Sequence, residues 1–250
     1  MLDRAAFLRQ IAHRGLHNGA KGRIENTAPA FLAAIAKGYG IECDLQAAKD
    51  GTPMVFHDDR LGRLVVGAGP ISVQAPATLA SLRYRRQDTH ILRFAELLAL
   101  VAERVPLLVE VKTNPHTPLE AFLDKIARLA RAYQGPIALM SFNREVVAEL
   151  GRLAPTVPRG LVVGSHQLRP SWWAAPSAAN KSRNLTRLLG SPPTGIAFFA
   201  VDVRMLRSAR AWTSQHAPQL ALFSWTIRTP RERRAAARWA DAPIFEGYEA

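Results

Sequence analysis

The sequence predicts a (β/α)8 TIM barrel with a small insertion after the second strand. Three observations predict it. Short apolar runs alternate with amphipathic segments from end to end, and strands alternating with helices argue for a parallel sheet. About eight such units fit in 250 residues, which suits a closed barrel better than an open doubly wound sheet. The polar residues embedded in apolar runs fall at the C-terminal ends of the strands, where such a barrel carries its active site.

The elements follow in order. "QIAHRG" is a strand ending in polar residues. "NTAPAFLAAIAKG" is a helix, capped by Asn26 or Thr27, with Pro29 in the first turn and Gly38 at the stop. "GIECDLQ" is the second strand, and "PMVFHD" extends it after the "KDG" turn. Residues 59–93 are punctuated by Gly and Pro and carry weak periodicity, so they form the insertion. "FAELLALVAERV" is helical and "PLLVEVKT" a strand. Leu119, Phe122, Leu123, Ile126, Leu129 and Tyr133 keep helical spacing until Gly135-Pro136. "PIALMSF" is a strand, "NREVVAELGRL" a helix capped by Asn143, and "RGLVVG" a strand. "NKSRNLTRLLG" is a short helix, and "GIAFFAVD" and "LALFSWTI" are strands around a helix near "RMLRSARAWTSQH". "TPRERRAAARWA" starts with a Thr cap and Pro at the first helical position, and "APIFEG" is the last strand. No linker interrupts the alternation, so residues 1–250 read as one domain.

A hydrophobic content of 48% supports one large core, and 21% charged residues do not suggest disorder. The single cysteine, Cys43, excludes an internal disulfide. No apolar run approaches the roughly 20 residues of a spanning helix, and "MLDRAAFLRQIAHRG" shows no signal-peptide pattern, so a cytoplasmic protein is expected. The net charge of +13 fits either a solvated basic surface or attraction to nucleic acid, anionic membrane or a phosphorylated substrate.

The polar residues are more specific than the net charge. His13 and Arg14 end the first strand, Glu42 and Asp44 lie in the second, and His57 ends its continuation. Glu110 and Lys112 end the third strand, Ser141 the fourth, and Trp225 and Thr226 the seventh. Strand side chains alternate, so Glu42 and Asp44 share a face, as do Glu110 and Lys112, while Cys43 points at the helices and is no nucleophile. Three convergent carboxylates repel unless a cation lies among them. Oxygen-only ligands favour Mg²⁺ or Ca²⁺ over zinc. Lys112 either pairs with Glu110 or, beside a metal, binds an anionic oxygen. Arg14 either binds phosphate or forms a salt bridge in the rim. His13 and His57 suit proton transfer near neutral pH.

The ordered set "HRG", "ENT", "IECDLQAAKDGTPMVFHD..LGR", "VEVK" and "SWT" resembles the glycerophosphodiester phosphodiesterases. The resemblance covers most of the chain and is densest from Ile11 to Arg63. It implies metal-dependent hydrolysis of glycerophosphodiesters to glycerol 3-phosphate and an alcohol. It implies that Glu42, Asp44 and Glu110 hold the divalent cation and that His13 and His57 are the general acid and base. Arg14 and Lys112 would contact phosphate, Trp225 would line the substrate pocket, and Glu25 and Asn26 would support the site. Departures from the family pattern concern substrate choice: "LVVGAGP" after "HDDRLGR", "PIFEGYEA" at the end, Ile24 before Glu25, and Ile227-Arg228 after "SWT".

The segment "HQLRPSWWAAPSAANKSRNLTRLLG" joins Trp172 and Trp173 to Arg169, Lys181, Arg183 and Arg187. Such a loop would bring the enzyme to an anionic membrane and to lysophospholipids, a lysophospholipase D-type alternative. The rival class is a basic, non-catalytic nucleic-acid binder. It has no recognisable nucleic-acid motif and no need of the carboxylate–histidine set, so no nucleic acid is expected as a partner.

Overall fold

The computed structural model describes residues 1–164 and 189–250. A short helix α1 (Arg4–Phe7) precedes β1 (Ile11–Ala12), α2 (Ala28–Ala36) and β2 (Gly40–Ala47). Then come β3 (Pro53–Val55), α3 (Pro76–Ser81), β4 (Arg83–Tyr84), β5 (Gln87–His90), α4 (Phe94–Val101) and β6 (Leu107–Val111). Next are α5 (Leu119–Ala132), β7 (Ile137–Ser141), α6 (Arg144–Leu153) and β8 (Arg159–Val163). The chain ends with β9 (Phe198–Asp202), α7 (Leu206–His216), β10 (Ala221–Ile227), α8 (Pro230–Trp239) and β11 (Ala242–Phe245).

Eight strands pair in parallel in the order β1, β11, β10, β9, β8, β7, β6, β2, and β2 pairs with β1 to close the ring. This is the (β/α)8 barrel that the alternation predicts. The period of two sorts the side chains. Ile41, Cys43 and Leu45 of β2, with Leu107, Val109 and Val111 of β6, pack outward under the helices. Ile11, Leu108, Ala138, Met140, Val162, Phe198, Phe223 and Ile244 fill the barrel, with Phe7 of α1 in the same cluster. Gly160 of β8 makes room for this layer, since a Cβ there would lie 2.2 Å from the Phe198 ring.

One step along each strand toward its C-terminal end, the inward positions turn polar. Leu108 is followed by Glu110, Ala200 by Asp202, Phe223 by Trp225, and Ile11 by His13. Below this level the barrel is a packed apolar plug; at it, the barrel becomes a site.

Two expectations change. "PMVFHD" does not prolong the second strand: β3 folds back antiparallel on β2, with Leu45 opposite Val55 and Ala47 opposite Pro53. Gly51 makes the reversal at φ 78°, in the left-handed region that glycine tolerates. The insertion is also more ordered than its weak periodicity suggests. It contains α3 and the β4–β5 hairpin, and Val65, Ile71, Leu79, Tyr84 and Ile91 bury a cluster against Met54 and Phe56. Those apolar residues are too widely spaced to produce a period. The segment with Trp172 and Trp173, and most of the helix expected at "NKSRNLTRLLG", lie outside the described residues.

Candidate active site

Seven of the expected site residues line one cavity of about 610 Å³ at the C-terminal rim: His13, Arg14, Glu42, His57, Glu110, Lys112 and Trp225. Asp44, Glu25 and Asn26 stand behind its wall. Met140, Val162 and Ile244 of the apolar layer below, with Phe142 and Val203, share the lining with Asp202, Arg204, Thr226, Arg228 and Glu232, and Trp225 donates its indole N–H to the Ala200 carbonyl at 3.0 Å.

The carboxylates meet because of strand register. Glu42 and Asp44 are two residues apart on β2, and Asp44 lies opposite Glu110 of β6. All three are buried, and carboxylate oxygens from them lie within 4.8 Å of one another. Lys112 Nζ approaches Glu110 Oε1 at 2.6 Å and Asp44 Oδ1 at 3.1 Å. Arg14 Nε is 3.2 Å from Asp44 Oδ2. The next inward residue of β2, Gln46, donates its amide to the His57 carbonyl at 2.9 Å. The β2–β3 hairpin therefore delivers His57 to the rim.

Electrostatics separate Glu42 from Asp44. Burial, then the charges of Asp44 and Glu110, push the Glu42 carboxyl well above the usual carboxylate range. Burial opposes ionisation of Asp44 too, but Lys112 and Arg14 outweigh it and hold that carboxyl low. Burial likewise works against a charged Lys112, and Asp44 and Glu110 overcome it, raising its pKa. Glu42 Oε2 accepts the Arg14 backbone N–H at 3.0 Å, while Glu42 Oε1 is buried with no hydrogen-bond partner. A buried carboxylate oxygen without a partner, beside two more acids, is a place a cation fits. The set is all oxygen, which suits a hard divalent ion.

The "HRG" and "ENT" turns are built together. Arg14, Gly15 and Asn26 all take left-handed backbone, at φ 55°, 77° and 56°. A Cβ on Gly15 would lie 2.9 Å from the backbone of Ala30, so this turn against α2 requires glycine. Asn26 donates its amide to Asp44 Oδ2 at 2.8 Å, and the helix cap falls to Thr27, whose hydroxyl donates to Ile24. Glu25 accepts from Arg14 Nη1 at 2.7 Å and from Arg63 Nη2 at 2.7 Å.

Asp58, Arg63 and Glu246 join the expected set. Asp58 lies 2.8 Å from His57 Nδ1, so it orients that ring. Arg63 donates to both Asp58 and Glu25, linking His57 through acids and arginines to Arg14. Glu246, just past β11, lies 2.5 Å from His13 Nδ1 and also meets His17 and Arg228. Its position at a strand end was the available signal. Ser141 is structural: its hydroxyl donates to the Val111 carbonyl at 2.7 Å. Cys43 is buried among helix-facing residues, and burial pushes its thiol up, away from nucleophilic use.

Comparison with known proteins finds relatives of one family. The chain is 31% identical over 175 residues to "Probable glycerophosphodiester phosphodiesterase 1" of Mycobacterium tuberculosis, covering 61% of this chain and 63% of that protein. It is 39% identical over 169 residues to a glycerophosphodiester phosphodiesterase of Caldanaerobacter subterraneus subsp. tengcongensis, covering 61% and 65%. The matched stretches thus span less than two thirds of either relative. Among solved structures, an Oleispira antarctica phosphodiesterase in complex with the product sn-glycerol-3-phosphate shares the fold, with a TM-score of 0.74 at 22% identity over 97% of this chain and 94% of that one. Among described residues, no helix is long and apolar enough to cross a membrane. The model of the glycerophosphoryl diester phosphodiesterase family matches residues 13–245, and the chain belongs to that family.

Proposed function

We propose that the chain hydrolyses glycerophosphodiesters to glycerol 3-phosphate and an alcohol, using a divalent cation and two proton-transfer histidines. The observation that carries this reading is the convergence of three buried carboxylates, one with an unpartnered oxygen and two of them, Glu42 and Glu110, lining the same cavity as His13 and His57.

In this reading Glu42, Asp44 and Glu110 would hold Mg²⁺ or Ca²⁺, whose chemistry there would be Lewis-acid charge stabilisation. Arg14 and Lys112, already on the wall, add positive charge where the phosphorane develops negative charge. His13 and His57 line the same cavity; one takes a proton from the attacking hydroxyl and the other gives one to the leaving alkoxide. The attacking hydroxyl is that of water, which gives glycerol 3-phosphate directly, or the glycerol 2-hydroxyl, which expels the alcohol and closes a cyclic phosphate that water then opens. Asp58 holds the His57 ring, and Glu25 and Asn26 hold Arg14 and Asp44. Trp225 lines the substrate side.

A second reading is lysophospholipase D-type action on a diester with an acyl chain, which would lie along the apolar part of the lining at Phe142, Val203 and Trp225. Membrane approach through Trp172 and Trp173 belongs to that second reading. No nucleic acid is proposed as a partner, and the expected compartment is the cytoplasm.

A panel of diesters tests the reading. Glycerol 3-phosphate release from glycerophosphocholine or glycerophosphoethanolamine is expected. Preference for lysophosphatidylcholine in anionic vesicles over both would select the second reading. No release from any of these diesters would overturn the activity.

A further inference from the structure

Glu246 has no part in the chemistry set out above, yet it makes a short contact to one of the two histidines. Barrel closure puts it there. β1 and β11 pair Ile11 with Ile244 and Ala12 with Phe245, and the His13 N–H donates to the Phe245 carbonyl at 2.9 Å. The next residues on the two strands, His13 and Glu246, are thereby brought side by side. Glu246 Oε2 lies 2.5 Å from His13 Nδ1 and 3.3 Å from His17 Nε2, and Arg228 Nε donates to Glu246 Oε1 at 2.6 Å. The carboxylate is thus held on both oxygens, and its backbone N–H is anchored on the Ile227 carbonyl at 3.1 Å.

We propose that Glu246 is the positioning residue of His13, holding the imidazole with its proton on Nδ1 so that Nε2 faces the substrate cavity. Burial opposes a charged Glu246, but hydrogen bonds from His13 and His17 keep its carboxyl well below the usual range. An ionised carboxylate only accepts, so Nδ1 is the donor. The neutral ring then has its lone pair on Nε2, which lies 3.8 Å from Glu42 Oε2, on the side of the carboxylate cluster. Asp58 meets His57 through the same ring atom, Nδ1, at 2.8 Å. Both histidines are therefore held from behind by a carboxylate, one local and one from the far end of the chain. Fixing the ring in place lowers the cost of reaching proton-transfer geometry without adding contact to bound substrate.

The proposal rests on His13 moving protons, and its test separates the two claims. Long-range ¹H–¹⁵N spectra of ¹⁵N-histidine protein report which ring nitrogen carries the proton, with His13 assigned by loss of its signals in His13→Gln. The expected result is a His13 Nδ1–H tautomer in the wild type and a mixture in Glu246→Ala. Glu246→Ala should also lower kcat on glycerophosphocholine by about 10- to 100-fold with KM within about twofold. Glu246→Gln keeps the shape and an acceptor oxygen; it should recover part of the loss, and it carries both readouts if the alanine variant does not fold. A wild-type Nε2–H tautomer, or a kcat in Glu246→Ala within about twofold of wild type, would overturn the proposal. Inactivity of the wild type on every diester would count against the function, while the tautomer would still decide the role of Glu246.

Discussion

Glu42→Gln is expected to cut phosphodiester turnover sharply and, in metal-free buffer, to raise thermal stability. The two effects have one cause. Glu42 is buried beside Asp44 and Glu110, and one of its oxygens has no partner. Without a cation, its charge costs the folded state; with one, the same charge binds the ion. Glutamine keeps an acceptor for the Arg14 backbone N–H and removes the repulsion. The gain comes from the removed charge alone, since the glutamine amide remains a buried polar group, and is read as a higher Tm in EDTA. The loss of turnover should be on the order of 10²–10⁴-fold, equivalent to several kcal/mol of transition-state charge stabilisation. A lower Tm in EDTA would mean that Glu42 is a structural ion-pair partner instead.

His57→Ala and His13→Ala should each lower kcat by about 10²- to 10⁴-fold. The double variant should fall little further than the worse single one, because the two rings act as a unit. His57 is the cleaner case. Its side chain is about a third exposed, its ring meets Asp58, and its backbone is held by Gln46 whatever the side chain. Its removal should therefore leave the unfolding midpoint close to wild type. Steady-state kinetics with a thermal-melt control separate the outcomes. A loss below tenfold in His57→Ala would remove it from proton transfer.

The features legible in the sequence are those that depend on period and order. Glu42 and Asp44 around Cys43, and Glu110 before Lys112, already state which side chains share a face, and the alternation of runs states the barrel. Less legible is whatever depends on where the chain turns or closes. Whether "KDG" lets the second strand run on or sends it back is decided by the Gly51 backbone and by the pairing of β3 on β2. The partners of the histidines divide in the same way. Asp58 is adjacent to His57 and was visible, although its use was not. Glu246 is 233 positions from His13, and only the β1–β11 pairing brings them together. Arg63 lay at the edge of the recognised motif, but its bridging of Glu25 and Asp58 depends on how the insertion packs over the rim.

The central claim is that this rim is a metal-dependent phosphodiesterase centre. Its most direct test is glycerol 3-phosphate release from glycerophosphocholine before chelation, after EDTA, and after Mg²⁺ or Ca²⁺ is restored in excess. The account predicts turnover that EDTA removes and one of these ions restores in the wild type, with no recovery in Glu42→Gln. Undiminished turnover in EDTA, or equal recovery in Glu42→Gln, would contradict it.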